Sequence, residues 1–165
     1  MKMAFTTLGC PEWDLDTVIA KGSEFGYAAV DFRGIQQEID VTKLPEFTTE
    51  IAKTKRKLDE ANLAVCGISS SLRVCDDLLH DDNLEEAKRT IPVAAELGVP
   101  NIRVFGVGNA EEKTKEELAD IGQGTMEDVL ALDGADQFKW VFETHDHWIK
   151  SEDCKLLLDR VTVPI

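Results

Sequence analysis

The chain alternates between short apolar runs and longer stretches whose apolar residues recur three or four apart. "MAFTTL" opens it as a β-branched and aromatic run, broken by Gly9 and Pro11. "DLDTVIAKGSEFG" follows, with Leu15, Val18, Ile19 and Phe25 on one helical stripe and Gly26 as its stop. "AAVDF" predicts a second strand ended by Arg33 and Gly34, and residues 46–62 predict a helix carrying Phe47, Ile51, Leu58 and Ala61. "LAVCGISS" reads as a third strand and "NLEEAKRTIPVAAELG" as a third helix, in which Pro92 predicts a kink or a tightened turn. "NIRVFGV" is a fourth strand. An interrupted helical region over 111–133 follows, weakened by Gly122 and Gly124, with a capping-box restart at Thr125 and Asp128. "FKWVF" is the fifth strand and "SEDCKLLLDRV" the fifth helix, with Ser151 as its N-cap.

The strand runs are nearly continuously apolar, the pattern of parallel strands buried on both faces. They start near residues 3, 28, 63, 101 and 138. Strand-helix units of this length imply right-handed crossovers and an α/β fold. Pattern alone leaves two arrangements open. Five units suit a complete five-stranded doubly wound sheet. They also make five-eighths of a (β/α)8 barrel, which usually takes about 250 residues.

Charge narrows the function classes. The formal net charge is −14, so a polyanion meets net repulsion and no nucleic-acid partner is expected. The one dense basic run, Lys53 with Lys55, Arg56 and Lys57, reads as a solvated helix face. No apolar run approaches the roughly 20 residues that span a bilayer, and no membrane partner is expected. Cys10, Cys66, Cys75 and Cys154 form no CxxC pair, which suits reduced thiols in a cytoplasmic protein.

Chemistry in either arrangement belongs to the loops after the strands: "GCPEW", "DFRG", "SSSLR", "FGVGN" and "ETHDHW". "GCPEW" is no phosphate nest, and no receiver-type acid pair or GxGxxG follows the first strand. "TLGCPEWDLDTVI", "GYAAVDFRG", "NIRVFG" and "FETHD" resemble the sugar phosphate isomerase/epimerase family, the xylose-isomerase-like barrels. The resemblance runs over the whole chain in order, and its first and last motifs are the specific ones. It implies parallel (β/α) units of a TIM barrel, truncated after about five strands. It also implies a divalent metal, Mn²⁺, Mg²⁺, Co²⁺ or Zn²⁺, held by ligands from strands five to eight, of which only Glu143 has a counterpart here. A sixth strand would begin around Val163, Pro164 and Ile165.

In that family the metal polarises a carbonyl and its neighbouring hydroxyl while a carboxylate moves the proton α to the carbonyl. Carried over, Glu143 is both metal ligand and catalytic carboxylate, and the substrate is a small sugar or sugar phosphate. From the residues alone, Glu143 could equally be a capping or salt-bridging acid. His145, two positions on, shares Glu143's side of an extended chain and could hydrogen-bond substrate. His147 reads as a loop-exposed histidine or as the second half of an HxH metal pair, and Asp146 as a cap or salt bridge. Trp13 could wall a sugar pocket or pack in the core. Arg33 could hold a phosphate or hydroxyl, or pair with Asp31. Arg103 fits an ion pair inside the barrel, while Ser69, Ser70 and Ser71 line the pocket or make a turn.

One carboxylate out of four expected ligands predicts that the chain by itself does not turn over sugars. The alternatives are a non-catalytic remnant acting only through self-association, and an abasic-site endonuclease-like barrel, which −14 opposes. A five-unit sheet would keep open edges at "MAFTTL" and "FKWVF", and its inward faces would lose their opposing side chains. A small closed homo-oligomer is therefore expected.

Overall fold

The computed structural model describes residues 1–161. The sixth strand start expected around Val163, Pro164 and Ile165 lies outside the described residues. Among the described residues five strands and five α-helices alternate. They are β1 (Ala4–Thr6), α1 (Leu15–Glu24), β2 (Ala29–Phe32), α2 (Ile51–Glu60) and β3 (Ala64–Arg73), then α3 (His80–Leu97), β4 (Asn101–Phe105), α4 (Lys115–Leu130), β5 (Lys139–Glu143) and α5 (Ser151–Leu158).

The strands form one parallel sheet in chain order, β1-β2-β3-β4-β5. A doubly wound sheet reverses its strand order at a switch point, and none occurs here. Unidirectional winding is the barrel arrangement, so the doubly wound alternative is set aside. β1 pairs with β2 at Ala4↔Ala29, Phe5↔Val30 and Thr6↔Asp31. The β2–β3 ladder shifts register between Val30 and Asp31, so that Asp31 stands opposite Gly67. No helix among the described residues is long and apolar enough to cross a membrane.

The chain divides into two compact units, one of Met1–Ser70 with Pro92–Ile102, the other of Ser71–Ile91 with Arg103–Ile165. In the first unit, Asp14 caps α1 by accepting from Thr17 N at 2.8 Å, and Leu15, Val18, Ile19 and Gly22 form the buried stripe. Phe25, expected on that stripe, is 59% exposed instead. It is the C-cap residue, and Gly26 at φ 72° turns the chain before its ring can join the buried row. The helix expected over 46–62 is shorter, because Pro45–Phe47 forms a separate 3₁₀ turn and Thr48 leaves helical geometry at φ −124°, ψ −96°. Phe47 in that turn is fully buried, edge-on to Phe32 at 4.9 Å. The basic run is occupied locally: Lys53 pairs with Glu50 at 3.0 Å, Lys55 donates to Glu96 O at 2.7 Å, and Lys57 meets Asp16.

The strands are not buried equally on both sides. β2 and β4 alternate half-buried and buried residues: Val30, Phe32, Ile102 and Val104 are buried, whereas Asp31, Asn101, Arg103 and Phe105 are only partly covered. This corrects the expectation of uniformly apolar strands. Along each of these strands one set of alternate residues is buried, and the other set includes the polar groups Asp31, Asn101 and Arg103.

In the second unit, α4 starts from a reciprocal capping box. Thr114 Oγ1 accepts from Glu117 N at 3.2 Å, and Glu117 Oε2 accepts from Thr114 N at 2.8 Å. No restart occurs at Thr125, which is buried within an unbroken helix. Gly122 is a contact rather than a break: a Cβ there would lie 2.7 Å from both Cys75 Sγ and Leu157 Cδ1. Nor is Ser151 the N-cap of α5. The chain reaches Lys150 extended, at φ −89° and ψ 141°, so Ser151 is already the first helical residue and Lys150 makes no side-chain cap. α3 runs unbroken through Pro92, whose ring denies the Lys88 carbonyl its usual donor.

Candidate active site

The strands deliver their side chains at their C-terminal ends, and each unit contributes separately. In the first unit, Arg33 follows β2, and its backbone N–H donates to Thr7 Oγ1 at 2.8 Å. Its guanidinium Nη1 donates to Ser69 O at 3.3 Å. Ser69 Oγ donates to both oxygens of Asp31, at 3.1 and 2.9 Å. Ser69 is thus the residue that Asp31 and Arg33 share. Gly67 makes room for this arrangement, since a Cβ there would stand 2.7 Å from Asp31 Oδ1. Of the other two serines, Ser70 is buried at 3% exposure and Ser71 N donates to Glu86 Oε1.

Trp13 is half-buried rather than a core residue. It lines a recess of about 230 Å³ with Phe5, Cys10, Phe25 and Tyr27. Its carbonyl accepts from Gln36 N at 3.1 Å, and Pro11 O accepts from Gln37 N at 2.8 Å, which ties the "GCPEW" loop to the segment after β2.

In the second unit, Glu143 is the last residue of β5, and its side chain is 43% exposed. Arg103 Nε on β4 lies 2.9 Å from Glu143 Oε2. The Arg103 guanidinium also lies 4.7 Å over the Phe105 ring, and His145 packs against that same ring at 5.5 Å. The expected Arg103 ion pair is therefore present, and its partner is the carboxylate on which the chemistry was placed. Sequence reasoning missed this link; the signal was an arginine on the alternate face of an otherwise apolar strand.

The histidines do not follow the extended-chain argument. β5 stops at Glu143, and the chain turns at once: Asp146 has φ 51° and Trp148 N donates to His145 O at 2.8 Å. His145 is set by Phe105 and by Asp146, whose Oδ2 lies 2.7 Å from His145 Nδ1. His147 points its Nε2 to Gly108 O at 3.0 Å, away from an HxH pair. Among the described residues no three His, Cys, Asp or Glu side chains converge to hold a metal. Among the described residues these donors do not by themselves complete a metal site, because Glu143 faces Arg103, His145 faces Asp146 and His147 faces Gly108.

All four cysteines are free thiols. Burial raises the pKa of Cys10, Cys66 and Cys75, the last to about 12, which favours the protonated thiol at each.

No protein-family model and no curated protein matches the chain. Solved structures do. The probable 3-DHS dehydratase AsbF of Bacillus anthracis is 17% identical with a TM-score of 0.75, over 99% of this chain and 60% of that one. The IolI protein with a bound zinc atom is 16% identical with a TM-score of 0.74, over 99% and 60%. The 3-keto-D-glucoside 4-epimerase YcjR of E. coli is 15% identical with a TM-score of 0.71, over 97% and 64%. These likenesses establish the xylose-isomerase-like barrel fold. The chain spans about 60% of the length of the first two of these structures.

Proposed function

We propose that this chain carries the proton-moving carboxylate of a sugar isomerase/epimerase-like barrel, and that Glu143 is that group. The observation that supports this most is Glu143's place at the C-terminal end of β5, half-exposed, with Arg103 as its counter-charge. A carboxylate so held is accessible at the strand mouth, as a base that removes a proton α to a carbonyl must be. Arg103 would offset charge that develops on the substrate as the proton leaves, and His145 would hydrogen-bond a substrate oxygen. On the first unit, Arg33 and Trp13 are proposed substrate contacts, for a hydroxyl or phosphate and for a sugar face respectively.

The structures it resembles include one with zinc and an epimerase, which supports a metal-assisted reaction on a small sugar or sugar phosphate. A divalent metal, when bound, supplies Lewis-acid polarisation of the carbonyl. Among the described residues Glu143 would be the contribution to its ligand set, and further donors would have to come from outside them. A cytoplasmic setting with free thiols fits this proposal.

Ligand-observed NMR with a panel of aldoses and ketoses, free and phosphorylated, tests it. A sugar should bind wild type, and more weakly Arg33→Met and His145→Ala. A panel without a binder, or equal binding to all three proteins, overturns the proposal.

A further inference from the structure

The turn that carries His145 is fastened by a side chain that the proposed chemistry does not use. Trp148 is fully buried although it belongs to the loop after β5. Its indole lies against Gly106 so closely that a Cβ there would be 2.2 Å from Trp148 Cδ1 and 2.3 Å from Nε1. Indole Nε1 donates to Val107 O at 2.9 Å. Val107 has φ 58°, a left-handed conformation that a β-branched residue adopts only when its surroundings hold it. Phe142 meets the indole edge-on at 6.0 Å, and Cys154 Sγ donates to Trp148 O at 2.9 Å. Lys115 Nζ stands 4.3 Å over the same ring and donates to His147 O.

We propose that Trp148 is the positioning residue of this site: its indole, seated on Gly106 and bonded to Val107 O, locks the 144–148 turn onto the end of β4 with Lys115 as the cationic clasp. The lock reaches His145 directly, because Trp148 N donates to His145 O while the His145 ring rests on Phe105 of β4. Strain at Val107 is then the cost of pointing its carbonyl at the indole. This deepens the proposed function, since it rests on His145 and Glu143 being the site, but its test does not depend on turnover.

The chain has three histidines and three tryptophans, so side-chain NMR resolves each of them. In wild type the Trp148 indole proton should be protected from exchange, and the His145 imidazole signals should be displaced by the Phe105 ring. Trp148→Phe removes the donor, Gly106→Ala blocks the seat, and Lys115→Met removes the clasp. Each should collapse the His145 signals toward those of a free histidine. His80, which meets Thr125 and Asp128, and the Trp140 indole, bonded to Ala135 O, should keep theirs. An unprotected Trp148 indole in wild type overturns the proposal without any variant. So do unmoved His145 signals in whichever variants fold, and Lys115→Met changes only a partly exposed side chain. Failure of the sugar-binding test with the His145 effect intact would sink the proposed function and leave this lock standing.

Discussion

Arg103 Nε and Glu143 Oε2 lie 2.9 Å apart, so the carboxylate at the end of β5 is balanced by a guanidinium from the neighbouring strand. With Glu143 nearly half-exposed, the pair contributes at most about 1 kcal/mol to stability. Its weight is in function. Any cation that takes Glu143 must compete with Arg103, and any anion that develops beside Glu143 has Arg103 within reach.

We expect metal binding to follow from that competition. Tight binding of Mn²⁺ or Co²⁺ should depend on Glu143, and Glu143→Ala should weaken it by about tenfold or more, or about 1.4 kcal/mol. Arg103→Met frees the carboxylate and should strengthen it. Calorimetric titration of the three proteins decides this, and equal affinities would remove Glu143 from the metal site.

The 165-residue chain alone should show no appreciable isomerase or epimerase turnover. One carboxylate cannot position a metal and return the proton to the opposite face of the substrate. Assays with ketoses and their phosphates in Mn²⁺ or Co²⁺ check this. Turnover that vanishes in Glu143→Gln would refute it.

Two glycines of α4 should respond in opposite directions. Gly122→Ala drives a Cβ against Cys75 Sγ and Leu157 Cδ1 and should cost about 1–3 kcal/mol. Gly124 has open space around it, so Gly124→Ala should stabilise the helix by roughly 0.8–1 kcal/mol. Thermal denaturation of both variants, read at equal pH, shows whether Tm falls for one and rises for the other.

Cys75 gives a pH signature. Burial holds its thiol protonated to about 12 in the folded chain, against an ordinary value of 9.0. A raised folded pKa means that its contribution is complete below 9.0 and is lost as pH climbs toward about 12. Cys75→Ala should flatten that alkaline decline in a pH series of urea denaturation, and an unchanged slope would show that other groups cause it.

We propose, finally, that the chain self-associates through the β1 edge. β1 ends the strand order, and Met3, Leu8 and Phe25 stand 51%, 55% and 59% exposed in its unit. A strand edge flanked by these exposed apolar residues favours a small dimer through this edge. Sedimentation equilibrium at micromolar concentration should report the dimer for wild type and a monomer for Leu8→Lys with Phe25→Glu. A monomeric wild type ends the proposal.

The sequence by itself determined the alternation of five strands with five helices, because burial of one helical stripe and of each strand's apolar residues is written locally in residue spacing. It also placed Glu143 at a strand end and marked Arg103 for an ion pair. Tertiary structure alone decided the rest. Strand order separated the barrel winding from a doubly wound sheet, since both use identical local units. Thr125 has no capping role because α4 runs unbroken past it from the Thr114 cap, with Cys75 and Leu157 against Gly122, residues far apart in sequence. His145 left the extended geometry because Trp148, three residues on, is drawn onto Gly106 and Val107 of another loop. Periodicity reports which side of an element is covered; only the packed chain shows what covers it.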